Sequence, residues 1–153
     1  MLHSHPNTSL QTAAIGLELT PQTSHASSPT RILIIDDELL IALMIEEMVR
    51  QAGYRVSGVA HTIAMARQEI AKSNFDAVLL DINIGGLYYA KIADLLKAKG
   101  IPFAFVTGFD YLIDPRHQKV PVLQKPFTPA QLHALLVALV GRRSASGEMA
   151  KTA

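Results

Sequence analysis

Five polar side chains stand at the ends of short apolar runs. Asp36 and Asp37 follow Ile32-Leu33-Ile34-Ile35, and Asp81 follows Ala77-Val78-Leu79-Leu80. Thr107 closes the run that starts at Phe103, and Lys125 comes just after Val120–Leu123. If these runs are parallel strands of one sheet, their ends emerge on one side, where such folds bind ligands. Singly, each residue has an ordinary explanation. Asp37 could cap a helix, Asp81 could be a loop acid, Thr107 a turn residue and Lys125 a solvated cation. Four strand ends carrying these types together are poorly explained that way.

Charge sharpens the reading. Three clustered carboxylates repel, and at least one is driven neutral unless positive charge offsets it. A divalent cation together with Lys125 would balance all three. Oxygen ligands without Cys or His select a hard ion such as Mg2+. Magnesium keeps several waters and readily shares its site with a phosphoryl group. Asp81 is then the candidate phosphoryl acceptor, metal ligand and nucleophile at once. Thr107 and Lys125 would stabilise charge on the transferring oxygens.

The elements that must position these groups alternate. Strands are predicted at Ile32–Ile35, Val56–Ala60, Ala77–Leu80, Phe103–Val106 and Val120–Leu123. Between them lie helical patterns. Leu39 to Ala52 has Ile41, Met44, Ile45, Met48 and Val49 at helical spacing and stops at Gly53. Thr62 to Lys72 turns Ile63, Ala66 and Ile70 inward, and Tyr88 to Lys99 does the same with Ile92, Leu95 and Leu96. The last helix opens on Thr128-Pro129-Ala130-Gln131, a capping box with Pro at the first helical position. Its inward face is Leu132, Leu135, Leu136, Leu139 and Val140.

This alternation predicts an α/β fold with a doubly wound parallel sheet. Strands one, three and four are almost wholly apolar, as strands covered on both faces must be. The second carries Ser57 and Gly58 and the fifth carries Pro121, so these two belong at the edges. The predicted order is therefore 2-1-3-4-5. Only 12 residues separate Thr107 from Val120, with Pro115 among them, so the fourth helix there should be short or disordered.

Composition bounds the rest. The chain has 153 residues, 49% hydrophobic and 18% charged, enough to bury one domain's core. A net charge of +1 argues against a general nucleic-acid or anionic-membrane binder. With no cysteine there are no disulfides, thiolate chemistry or zinc fingers, which fits a cytoplasmic location. Residues 1–30 are rich in Ser, Thr, Pro, Gln and His and read as a flexible arm, 31–142 as the folded domain, and 143–153 as a tail. His3, His5 and His25 read as solvated arm residues rather than metal ligands.

Four motifs in order now carry a resemblance: Ile34-Ile35-Asp36-Asp37-Glu38, Leu80-Asp81-Ile82-Asn83, Val106-Thr107-Gly108 and Gln124-Lys125-Pro126-Phe127. Over residues 31–142 the chain resembles the CheY-like receiver domain of two-component response regulators. The resemblance implies that a sensor histidine kinase, or a phosphotransfer protein, passes a phosphoryl group to Asp81. It implies that Asp37, Asp81 and the Asn83 carbonyl bind Mg2+ directly. Asp36 would act through water, Thr107 and Lys125 would contact the phosphoryl group, and the Lys125–Pro126 bond would be cis.

There are departures. Val122 stands where receivers carry an aromatic switch residue, and Gly85-Gly86 replaces a usual proline. With Pro102-Phe103-Ala104-Phe105-Val106-Thr107-Gly108-Phe109, they resemble the alphaproteobacterial single-domain receivers of the FATGUY group, associated with HWE-type kinases and stress signalling. Without an aromatic ring at 122, an order–disorder change in residues 108–119, involving Phe109 and Tyr111, is the expected readout.

Two other readings compete. A phosphatase of the haloacid-dehalogenase type needs a second Asp two residues after the nucleophile, and Asn83 stands there. An interaction module that is never phosphorylated would not need the full acidic set. The favoured expectation is a response regulator that is not an enzyme and signals by protein contact or drains phosphate from a shared kinase. Thirteen residues after Val140 are too few for a helix-turn-helix, so no DNA partner is expected, nor a membrane; a weak dimer is allowed.

Overall fold

In a pleated strand, successive side chains point to opposite faces. That alternation divides the interior of this protein into two cores. The computed structural model describes residues 28–84, 86, 89–108 and 113–149, with side chains described up to 141. The elements are β1 (Arg31–Ile35), α1 (Leu39–Gln51), β2 (Arg55–Ala60), α2 (Ile63–Lys72), β3 (Ala77–Leu80), α3 (Tyr89–Ala98), β4 (Phe103–Thr107), β5 (Val122–Gln124) and α4 (Pro129–Met149). All strand pairs are parallel, in the order β2-β1-β3-β4-β5.

Leu33, Ile35, Val78, Leu80, Phe103 and Phe105 face α2 and α3. Their neighbours Ile32, Ile34, Leu79, Ala104 and Val106 face α1 and α4. Every residue of β3 and β4 is buried, which explains why these strands lack a polar face. The edge strands behave otherwise. β2 is mostly half-buried, and only Leu123 of β5 is buried. β5 begins at Val122 rather than Val120, because Pro121 has no N–H to enter the ladder; its carbonyl still accepts from Phe105 N at 2.9 Å.

Local signals set the helix ends. Thr62 Oγ1 caps α2 by accepting from Met65 N at 3.1 Å. The capping box of α4 is reciprocal: Thr128 N donates to Gln131 Oε1 at 2.8 Å, and Gln131 N donates to Thr128 Oγ1 at 3.3 Å. Gly53 and Gly100 follow α1 and α3 with φ of +88° and +65°, a conformation other residues enter only with strain.

Two expectations are corrected. Met44 does not face inward: it is 48% exposed, and α1 buries Ala42, Ile45 and Val49 instead. The expected tail from 143 is helical as far as Met149, because neither Gly141 nor the Ser144-Ala145-Ser146 stretch is a strong enough breaker to stop an established helix.

The fourth helix in chain order is the C-terminal one. Between β4 and β5, the described residues hold only a 3₁₀ turn at Pro115–His117. Residues 113–117 are tied down more than the expected order–disorder change supposes. Asp114 N donates to Tyr89 Oη at 2.6 Å, and Arg116 pairs with Asp94 at 3.1 Å and Asp114 at 2.9 Å. Hydrogen bonds from Arg116 hold the Asp114 carboxyl down at about 2. Phe109 and Tyr111 lie outside the described residues, as do Gly85 and Tyr88.

Candidate functional site

Strand register brings the polar ends together. Ile35 pairs with Leu80, and Leu80 with Phe105. Asp36 and Asp81 therefore leave the sheet side by side, and Asp81 N still donates to Ile35 O at 2.9 Å. Thr107 ends β4 fully buried, and its carbonyl accepts from Lys125 N at 2.8 Å. The Lys125–Pro126 bond is cis, as the resemblance implied.

Lys125 Nζ is the hub. It lies 3.0 Å from Asp36 Oδ2, 3.7 Å from Asp81 Oδ2 and 3.7 Å from Glu38 Oε1. Carboxylate oxygens of Asp36, Glu38 and Asp81 lie within 4.8 Å of one another. Asp36 is buried and held in place: its Oδ1 accepts from Glu38 N at 2.9 Å, and its carbonyl meets His61 Nδ1 at 2.9 Å.

Asp81 is 3% exposed. Oδ1 accepts from Asn83 N at 3.2 Å, while Oδ2 has no hydrogen-bond donor. Burial pushes the Asp81 carboxyl above its ordinary value, and the charges of Asp36 and Asp37 add to this; Lys125 and the Asn83 N–H oppose it.

Of the residues singled out from sequence, Asp36, Asp81 and Lys125 meet, with Thr107 joined to Lys125 through the backbone. Asp37 is exposed and lies outside the group of converging oxygens, although its charge reaches Asp81. Asn83 contributes its N–H to Asp81. Glu38 brings a carboxylate oxygen into this group, and its only sequence signal is being the third acid in a row. His61 carries no sequence signal beyond its position after β2.

The donor set suits a hard dication. Three carboxylates face one ammonium, an excess of two negative charges, and a buried Asp81 oxygen lacks a donor. The ligands are oxygens without sulfur, as Mg2+ requires.

The family model of the response regulator receiver domain matches residues 32–137. This chain belongs to the response regulator receiver family. The receiver is 34% identical over 116 residues to the phyllosphere-induced regulator PhyR of Methylorubrum extorquens, a match covering 72% of this chain and 43% of the relative. The receiver thus spans less than half the length of that relative. Its fold is similar to the solution structure of SdrG from Sphingomonas melonis, with TM-score 0.66 and 40% identity, covering 74% of this chain and 98% of SdrG. It is also similar to the response regulator PhyR from Brucella abortus, with TM-score 0.70 and 32% identity, covering 80% of this chain and 52% of PhyR. No helix among the receiver's described residues is long and apolar enough to cross a membrane.

Proposed function

We propose that the receiver unit, residues 31–142, accepts a phosphoryl group on Asp81 from the phosphohistidine of a sensor kinase, HWE-type among the candidates, or of a phosphotransfer protein. The observation that carries this is Asp81 Oδ2: buried, without a hydrogen-bond donor, and 3.7 Å from Lys125 Nζ. Such an oxygen is a poor structural partner and an available nucleophile. It attacks phosphorus, a P–O bond forms, and the P–N bond to the donor imidazole breaks. The electron pair of that bond leaves with the imidazole.

Asp36, Asp81 and the Asn83 carbonyl, with Asp37 or Glu38, would hold Mg2+. The ion supplies charge to offset the transferring oxygens. Asp36 holds Lys125 at the site, and a backbone hydrogen bond joins the segments that carry the Thr107 hydroxyl and the Lys125 ammonium. Thr107 donates its hydroxyl proton to one phosphoryl oxygen and Lys125 pairs with another.

The donor would dock on α1. Leu39, Leu40, Leu43 and Met44 are all about half or more exposed and lie on the face opposite the buried Ala42, Ile45 and Val49. They begin immediately after Asp36-Asp37-Glu38, so a helix presenting phosphohistidine could cover them while reaching Asp81.

Downstream, we read the receiver as a cytoplasmic component of stress signalling that acts by protein contact. The supporting likenesses are the PhyR relatives, one described as an anti-anti-sigma factor from Bartonella quintana, 28% identical. Asp81→Asn tests the whole reading. It should abolish acid-labile, hydroxylamine-sensitive label from a donor kinase, and undiminished label would overturn it.

A further inference from the structure

On the edge of the sheet opposite the acid cluster, where β4 and β5 begin, there is a cleft of about 430 Å³. Its floor is apolar: Ile101, Phe103, Val120 and Leu139 come from the α3–β4 loop, β4, the β4–β5 connection and α4. The described part of that connection holds a 3₁₀ turn at Pro115–His117. The cleft's size falls within the range of small-molecule sites.

The rim is cationic. Lys97, Arg116 and Lys119 line the cleft, and among the described residues no acidic side chain does. Arg116 is already engaged by Asp94 and Asp114. Lys97 and Lys119 have no ion-pair partner among the described residues.

His117 also lines the cleft and is 1% exposed. Its Nε2 lies 3.0 Å from Asp94 Oδ1 but forms no hydrogen bond, and Nδ1 has no partner. Buried polar nitrogens are ordinarily satisfied. An apolar floor, two uncompensated ammonium groups and an imidazole whose Nδ1 has no partner describe one kind of occupant.

We propose that this cleft binds a small amphiphilic carboxylate, with its hydrocarbon body on Val120 and Leu139 and its head between Lys97, Lys119 and the His117 ring. The cleft wall is the segment joining Thr107 to Lys125, so occupancy would also alter phosphorylation. That consequence rests on the phosphoacceptor reading above; binding itself does not.

The test titrates the whole 153-residue chain, isotope-labelled, with octanoate, octanol and acetate, read by NMR. Octanoate should shift the Phe103, Val120 and Leu139 signals saturably, with Kd on the order of 0.1–1 mM. Octanol, which lacks the charge, and acetate, which lacks the body, should each bind at least tenfold more weakly. Lys97→Glu with Lys119→Glu changes two exposed side chains and should weaken octanoate at least tenfold while leaving the fold intact. Equal binding of octanol and octanoate, unchanged affinity in the double variant, or shifts centred elsewhere would overturn the proposal. If an acidic leucine-containing peptide saturates the cleft while octanoate does not, the cleft is a protein-docking surface and the proposal is wrong. Because binding is read without phosphorylation, undiminished label in Asp81→Asn would overturn the phosphoacceptor reading and leave this result untouched.

Discussion

Lys125 Nζ is closer to Asp36 than to Asp81, at 3.0 Å against 3.7 Å. The ammonium therefore rests on a neighbour of the acceptor and stands in the space where a cation would gather the carboxylates. Lysine and metal compete for the same negative charge. Lys125→Met should tighten Mg2+ binding several-fold, on the order of 1 kcal/mol for removing one like charge at this range. Calorimetric titration checks the sign, and weaker Mg2+ binding in the variant would refute the competition.

Asp81 gives a pH dependence in the metal-free protein. Its carboxyl is raised above the ordinary value of 3.8, so the folded state holds this proton more tightly than the unfolded chain. Stability contributed by the protonated form is present at low pH and is lost as pH rises through the raised value. Asp81→Asn removes this loss and also relieves an acceptor without a donor, so it should stabilise the metal-free protein at pH 7 by about 1 kcal/mol. The gain should shrink as pH falls toward 4. Urea unfolding with chelator present, at several pH values, measures it.

Docking on α1 separates two phosphoryl sources. Leu40 is 79% exposed, so Leu40→Glu leaves the core alone. Transfer from a kinase should slow tenfold or more, while labelling by acetyl phosphate should be unchanged. Equal slowing with both donors would move the docking surface elsewhere.

The capping box makes a stability prediction far from the chemistry. Thr128→Ala removes the acceptor for Gln131 N and should cost about 1 kcal/mol. Equilibrium denaturation reads it directly.

The sheet order was readable because Pro121, Ser57 and Gly58 mark edges, and the other three runs have no polar face. Asp36, Asp81, Thr107 and Lys125 were readable because each sits where an apolar run ends. Glu38 was not, since adjacent acids differ only by how the Asx-type bond from Glu38 N to Asp36 turns the chain. Met44 fits the helical period of α1 but falls on its far side, because Ala42, a small residue with little weight in the pattern, sets the buried stripe. The extent of α4 depends on helix propagation, to which single breakers are a weak guide. The cleft was not readable, because its walls come from four separate segments.

The 2.8 Å bond from Lys125 N to Thr107 O has a mechanical consequence. The hydroxyl sits on the last residue of β4 and the ammonium on the residue just after β5, fastened to each other by this bond, so they close on a target as one jaw rather than as two fingers. Tugging either side chain toward Asp81 drags the hinge of the other, and a flaw in one misaligns both.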